Sequence, residues 1–436
     1  MSMSALATPN ERIVIVGGGA GGAELAARLG RWSHHRSLEV ILVDASPLHL
    51  WKPRLHELAA GLVGAGEEET SYLALARANK FRFRLGALVG IDPQKKTIQI
   101  GPVEDSDGNE LLGPRSLSYT VLVLAFGSQV NDFAIEGVAQ HCHMLDSGGQ
   151  AAAFQRRFLE QAVRVADGSL DKLRVGIVGA GATGVELAAE LHHAAHAIDK
   201  FAGLISPEQL QITLVDRGPR VLPNNDQATS DFATRILGKL GVRIRTNAGV
   251  ERVTTEGLTL SGGEFVPCEL KVWASGIIGR PIALNLNGLT VDKSRRLVCD
   301  DLLRCKGTTD IYAPGDCAVV LDPATQRPLP ATAQIAHQQA AYLARVLTTD
   351  LHAESPARPF KYRPMGSLVS LGASPAAGEF PTPARRSLVF QGMTPKLVYT
   401  GLQFMHRAAL IGWWQAGVLA VADRLYKITA PPVKLH

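Results

Sequence analysis

Five cysteines, at positions 142, 268, 299, 305 and 317, are too few and too irregularly spaced for a disulfide framework, and no C-x-x-C pair is present. They read as reduced, cytosolic thiols. No apolar run reaches the eighteen or so residues a membrane-spanning helix needs. The longest candidate, Ala408 to Ala422, has fifteen residues and contains Gln415. An excess of charge is also missing: the formal net charge is +5, and the basic residues are scattered, so no nucleic-acid partner is expected. Neither G-x-S-x-G nor H-E-x-x-H nor a Cys/His cluster occurs, which leaves hydrolytic and metal-dependent readings without residues and predicts no metal site. A strand begins by Arg12 with no apolar leader before it, so export is not expected.

What the chain has in quantity is glycine, 43 of 436 residues, with 46% apolar and 19% charged residues. Such a length exceeds what one core usually serves, so two or more α/β domains are expected. The segment "RIVIVGGGAGGAELAARLG" is an apolar strand, a glycine turn and a helix, with Gly17, Gly19 and Gly22 in G-x-G-x-x-G spacing. The first glycine permits the turn, the second admits a pyrophosphate against backbone, and the third lets helix pack on strand. Asp44 ends the next strand, "LEVILVD", at the place from which a carboxylate accepts hydrogen bonds from ribose.

The pattern recurs in "LRVGIVGAGATGVELAAEL", with Gly179, Gly181 and Gly184, and "LQITLVDRG", which brings Asp216. Two complete fingerprints one domain length apart imply two dinucleotides, and two such cofactors facing each other imply electron transfer. "DIYAPGDCA" adds a strand and a Gly-Asp turn, where Asp316 would stand beside ribityl or pyrophosphate oxygens; a plain helix-capping Asp is the alternative. Asp216 favours NADH, because its charge repels the 2′-phosphate of NADPH.

On these segments, together with "HLWKPRLHE", "AQIAHQQA", "GSLVSLG" and a tail ending "VKLH", the chain resembles the two-dinucleotide flavoprotein reductases, and most closely the bacterial type II NADH dehydrogenases. The resemblance implies FAD on Gly17, Gly19, Gly22 and Asp44, and NADH on Gly179, Gly181, Gly184 and Asp216. It leads one to expect Glu at position 216, and Arg217 follows, which leaves NADPH use open. It places Lys52 and Pro53 by the flavin edge with Trp51 nearby, and Gly127 and Gly276 in turns passing close to FAD and nicotinamide. Gln334 and Gln338 are implied beside the flavin where a quinone docks, Glu186 near the nicotinamide and quinone, and Lys396 by the quinone head. Glu186 could equally be a first-turn acid favoured by the helix dipole, Lys396 a lipid contact, and His337 a proton relay or a packing residue.

The implied activity is respiratory NADH:quinone oxidoreduction without proton pumping, with ubiquinone or menaquinone as the acceptor. Other NAD(P)H- or sulfide-dependent reductases, and an FAD/NADH redox sensor, remain as alternatives. Lys396, Thr400, Gln403 and Arg407 recur at helical spacing, and Trp413, Trp414, Arg424 and Lys427 follow, so the tail reads as interfacial helices on an anionic lipid surface. The expected architecture is an FAD domain from 1–148 plus 293–364, an inserted NADH domain at 149–292, and a separable membrane-anchoring or dimerisation module at 365–436. The expected setting is a homodimer, peripheral on the cytoplasmic face of the bacterial inner membrane.

Overall fold

The structure, a computed structural model, describes residues 11–33, 38–64, 69–348, 358–372, 376–381 and 387–429. Two five-stranded parallel sheets form its frame. The first runs Ile311–Tyr312, Val121–Leu124, Glu11–Val16, Leu38–Asp44, Arg82–Leu85. The second runs His143–Met144, Leu270–Trp273, Leu173–Val178, Leu210–Val215, Arg243–Arg245. In each, the strand that enters the glycine turn is central, and its last four residues are buried. Strands covered on both faces explain why these segments are continuous Val/Ile/Leu runs rather than alternating ones. The expected α/β class with two dinucleotide-type sheets is what the chain forms.

Every strand of the second sheet falls in sequence between Val121–Leu124 and Ile311–Tyr312 of the first, so one unit is nested in the other. Crossing between them is made by a ribbon in which Ser128–Val130 pairs antiparallel with Ile277–Gly279. His143–Met144 already pairs with Val272 and Trp273, ahead of the expected limit at residue 148.

The carboxy-terminal segment is more integral than its sequence suggests. An antiparallel sheet of Ser367–Val369, Ala376–Pro381 and Ser387–Gly392 leads into helices Met393–Ile411 and Trp413–Thr429. Val369, Leu371 and Ala377 are buried in the core of the second unit, and Glu379 accepts hydrogen bonds from Asn225 Nδ2 at 2.6 Å and Asp226 N at 2.9 Å. Leu410 is buried in the core of the first unit, and Asn79 Nδ2 donates to its carbonyl at 2.8 Å. Helix Met393–Ile411 is thus part of the folded body, because its buried face fills a core. Past Gly412 the character changes: Trp413, Trp414, Val421 and Leu425 are all exposed. Among the described residues no helix is long and apolar enough to cross a membrane.

Candidate functional site

The two glycine turns are built alike, and their packing shows what each glycine does. A Cβ on Gly22 would fall 1.9 Å from the Gly17 carbonyl oxygen, and one on Gly184 would fall 1.9 Å from that of Gly179. Gly17 (φ +100°) and Gly179 (φ +108°) take the left-handed turn. The middle glycines differ: a Cβ on Gly19 or Gly181 would meet nothing within 4 Å. Packed first and third glycines with an open middle one fit a dinucleotide phosphate laid against backbone at a helix start.

Asp44 and Asp216 are each clamped between two turns. Asp44 accepts from Gly18 N at 2.6 Å and Ser46 N at 2.8 Å; Asp216 accepts from Ala180 N and Gly218 N, both at 2.6 Å. Asp216 and Arg217 both face a cleft of about 370 Å³ that Gly179 also lines.

A larger cavity of about 740 Å³ opens along the first cradle and reaches the first turns of the helix Ala182–Ala202. Gly17, Gly19, Asp44, Gly127, Gly276 and Asp316 are all on its wall. Gly127 (φ +71°) and Gly276 (φ +69°) flank the crossing ribbon. Burial raises the Asp316 carboxyl above its usual range, with Lys52 and the Ser128 hydroxyl opposing, the latter 3.4 Å from Asp316 Oδ2. Lys52 Nζ is 2.9 Å from Asp146 Oδ1, and Arg280 bridges Asp146 Oδ2 (3.1 Å) to the Phe126 carbonyl (3.0 Å). The Pro53 carbonyl accepts from the Tyr399 hydroxyl at 3.3 Å.

Glu186 also lines this cavity and is buried. Its Oε1 accepts from Ser370 N at 3.0 Å, and its Oε2 lies 3.4 Å from His56 Nδ1. Burial, reinforced by Glu190 and Glu57, pushes its carboxyl well above the carboxylate range despite the Ser370 amide.

Gln334 and Gln338 occupy one face of helix Ala333–Thr348, whereas Thr332, Ala333 and Ala336 face the cavity. Gln334 bonds Tyr362 Oη, Met365 N and the Gly366 carbonyl; Gln338 bonds both backbone groups of Arg363. The two glutamines therefore hold the strap 362–366 rather than the cavity wall. His337 Nδ1 meets the buried Glu24 at 2.6 Å, a packing contact between two helices. Lys396 stands on helix Met393–Ile411, but its side chain lies outside the described residues, as do the side chain of Lys427 and the terminal "VKLH".

Several wall residues carried no flag in the sequence. His56 stood within "HLWKPRLHE", one helical turn after Pro53, and Tyr399 stood one turn past Lys396. Arg280 and Asp146 gain their meaning only from the fold, which brings Asp146 to both Arg280 and Lys52. Gln339 accepts from Gly315 N at 2.6 Å and so fixes the turn that presents Asp316. The cysteines hold one surprise: Cys299 and Cys305 are cross-strand neighbours with sulfurs 3.9 Å apart. They are buried in the first core, and none of the five cysteines lines the cavity.

Residues 11–340 match the family described as pyridine nucleotide-disulphide oxidoreductase. A type II NADH:quinone oxidoreductase of Haemophilus influenzae is 35% identical over 445 aligned positions, covering 98% of this chain and all of the relative. The type II NADH:quinone oxidoreductase NdhA of Mycobacterium tuberculosis is 29% identical, covering 84% of this chain and 78% of that one. The solved structure of NDH2 from Plasmodium falciparum in complex with NADH superposes with a TM-score of 0.81 over 97% of this chain and all of that one, at 18% identity.

Proposed function

The chain belongs to the pyridine nucleotide-disulphide oxidoreductase family, among its type II NADH:quinone oxidoreductases, and from that membership we propose how its own residues divide the work. It is an FAD-dependent oxidoreductase that takes hydride from NADH and passes two electrons to a quinone. Bound FAD supplies the hydride and electron chemistry. Gly17, Gly19, Gly22 and Asp44 hold its adenosine diphosphate half, while Lys52, Pro53, Gly127 and Asp316 fix the ribityl and ring portion. Gly179, Gly181, Gly184 and Asp216 hold NADH, with Gly276 leaving room for the nicotinamide. Glu186 is the acid nearest the acceptor, Gln334 and Gln338 set the strap at its entrance, and Lys396 stands toward the quinone head.

One observation carries this reading: the first cradle and the start of the second cradle's helix open into the same cavity. Two rings aligned there need no side-chain nucleophile, only fixed geometry. The absence of cysteine from that wall argues against sulfide as the electron donor, because sulfide oxidation needs paired reactive thiols beside the flavin.

We assign residues 1–148 with 293–364 to the flavin unit and 149–292 to the NADH unit, to within a few residues at the crossing ribbon. The module at 365–436 meets the membrane through Trp413, Trp414, Val421 and Leu425, which are exposed together on one helix. Lipid is their natural cover, with Arg424 placed for anionic headgroups. A second copy of the chain is the other partner proposed for this helix pair. On this reading the enzyme is peripheral on the cytoplasmic face of the inner membrane, and its acceptor is ubiquinone or menaquinone.

The purified protein should be yellow. Anaerobic NADH should bleach the flavin absorbance, and a short-chain quinone should restore it; failure of quinone to do so overturns the assignment. Replacing Trp413 and Trp414 by Ser should abolish sedimentation with anionic vesicles while the flavin stays bound.

A further inference from the structure

Reduction of a quinone by NADH consumes a proton: NADH, H⁺ and quinone give NAD⁺ and quinol. The hydride brings both electrons and one hydrogen, so the second hydrogen must arrive as a proton through protein groups or water. Glu186 is on the wall where such a proton is needed, and its surroundings show which oxygen holds it. Oε1 already accepts the Ser370 amide. Oε2 is left to carry the proton, and it faces His56 Nδ1.

His56 is itself unusual. It is buried, it lines the same cavity, and its Nε2 makes no hydrogen bond with any described residue. A buried ring nitrogen without a partner costs about 1–3 kcal/mol and calls for an explanation in function. Among the described residues, the charged groups that act most on Glu186 are the acids Glu190 and Glu57, which oppose its ionisation as burial does. Among the described residues, the titratable groups bearing on the pair are Arg54, Glu57, Glu190 and Tyr399. The Arg54 guanidinium donates two hydrogen bonds to Glu57, and Glu186 and Glu190 are both buried.

We propose that His56 is the positioning and proton-exchange partner of Glu186, the two forming a neutral pair that holds one transferable proton for the acceptor. This rests on the NADH:quinone reading above and extends it to the proton route. In the resting pair Glu186 is a carboxylic acid whose Oε2–H points at the Nδ1 lone pair, and His56 keeps its own hydrogen on Nε2. When the quinol O–H bond forms, the Glu186 O–H bond breaks and a carboxylate remains. That charge draws a proton from water onto the imidazole, and transfer from Nδ1 to Oε2 restores the neutral pair. Burial keeps His56 neutral while Glu186 is protonated, its pKa falling to about 4, so the pair never carries net positive charge.

The test uses the flavin-loaded full chain and three variants. In infrared spectra the carbonyl stretch of a protonated carboxyl should be present at neutral pH, and Glu186→Gln should remove it. His56→Phe takes away the acceptor on Nδ1, so that stretch should move to higher frequency. His56→Asn keeps an acceptor near Nδ1 but no basic nitrogen to take up the replacement proton: the stretch should stay in place while reoxidation of reduced flavin by quinone slows at least about tenfold. That slowing should carry an enlarged solvent deuterium effect. A stretch that does not move in His56→Phe overturns the proposal, and so does a quinone step within about twofold of the parent in His56→Asn. Failure of quinone to reoxidise the parent would instead remove the parent reading, since the infrared result needs no quinone.

Discussion

His49 and His406 face each other through their Nε2 atoms at 2.9 Å, and the neighbouring bonds fix which ring carries which proton. His49 Nδ1 lies 2.8 Å from the Gly18 carbonyl, which can only accept, so Nδ1 is the donor. His49 Nε2 is then the acceptor and His406 Nε2 the donor. Burial lowers the pKa of both, that of His406 to about 3, so both stay neutral. Gly18 is inside the first cradle, and its carbonyl also accepts from the Tyr72 hydroxyl at 2.6 Å. Two imidazoles therefore connect a helix near the carboxy terminus to the first glycine turn, the proposed FAD cradle.

Replacing His406 by Phe preserves an aromatic ring against Trp51, which stacks on His406 at 5.7 Å, but removes the donor. His49 Nε2 is left buried and unpaired, a cost of about 1–3 kcal/mol. The urea midpoint should fall and flavin should leave faster. An unchanged midpoint with unchanged flavin release would break the connection.

The same helix decides what a truncation does. A chain ending at Gly412 loses the exposed tryptophans but keeps Leu410 and His406; a chain ending at Gly392 loses both from the core. The longer product should stay soluble and yellow and cease to bind vesicles. The shorter one should lose flavin or precipitate. Retention of flavin by the chain ending at Gly392 would show that the buried contacts of Leu410 and His406 contribute little.

Much of this was legible in the sequence, and the reason is local. Gly22 and Gly184 meet the carbonyls of Gly17 and Gly179, a few residues before them, so spacing alone reports their role, whereas Gly17 and Gly179 also lie against the distant backbone of Ala125 and Ala274. Asp44 and Asp216 likewise close onto adjoining turns. What spacing does not report is a contact between distant segments. His56 gains significance only when Glu186 is brought 3.4 Å away from another unit, and the polar stripe of helix Met393–Ile411 gives no sign that the opposite face enters a core. Gln334 and Gln338 mislead for a related reason. Helical spacing puts them on one face, but only tertiary structure tells that this face meets the strap 362–366.

Backbone strain gives an independent test at the crossing loop. Phe133 (φ +52°) and Ala134 (φ +53°) both take the left-handed conformation, which costs an L-residue about 1–2 kcal/mol. Glycine at 134 removes that cost but adds unfolded-chain entropy. Ala134→Gly should therefore stabilise by a net amount of about 0.5–1 kcal/mol, seen as a higher denaturant midpoint. A lower midpoint would show that the methyl group does more than the φ angle suggests.

Asp216 is fixed by Ala180 N and Gly218 N, so its carboxylate is preorganised beside the 370 Å³ cleft. Asp216→Ala loosens the turn and, on the proposed NADH site, also loses the ribose acceptor. KM for NADH should rise about tenfold, equivalent to about 1.4 kcal/mol, with flavin content unaltered. Discrimination against NADPH should narrow, because the repelling charge is gone while Arg217 remains. A KM ratio for the two nucleotides equal to the parent's would remove Asp216 from specificity.

Glu186 also ties the site to stability, and the sign follows from its surroundings. Its carboxyl is raised above the ordinary 4.5, so the folded chain keeps a proton that the unfolded chain has released. Its contribution is fully present below about pH 4.5 and is lost as pH rises through the folded value. His56 acts in the opposite sense: its folded value is depressed from 6.5 to about 4, so its contribution is present above 6.5 and lost as pH falls through 4. Glu186→Gln keeps the shape and removes only the first dependence. The variant should gain stability over the parent as pH increases, with the urea midpoints further apart near pH 8 than near pH 5. Midpoints separated by the same amount at both values would mean that Glu186 is ionised in the folded protein, and a Glu186 without a proton could not serve the acceptor.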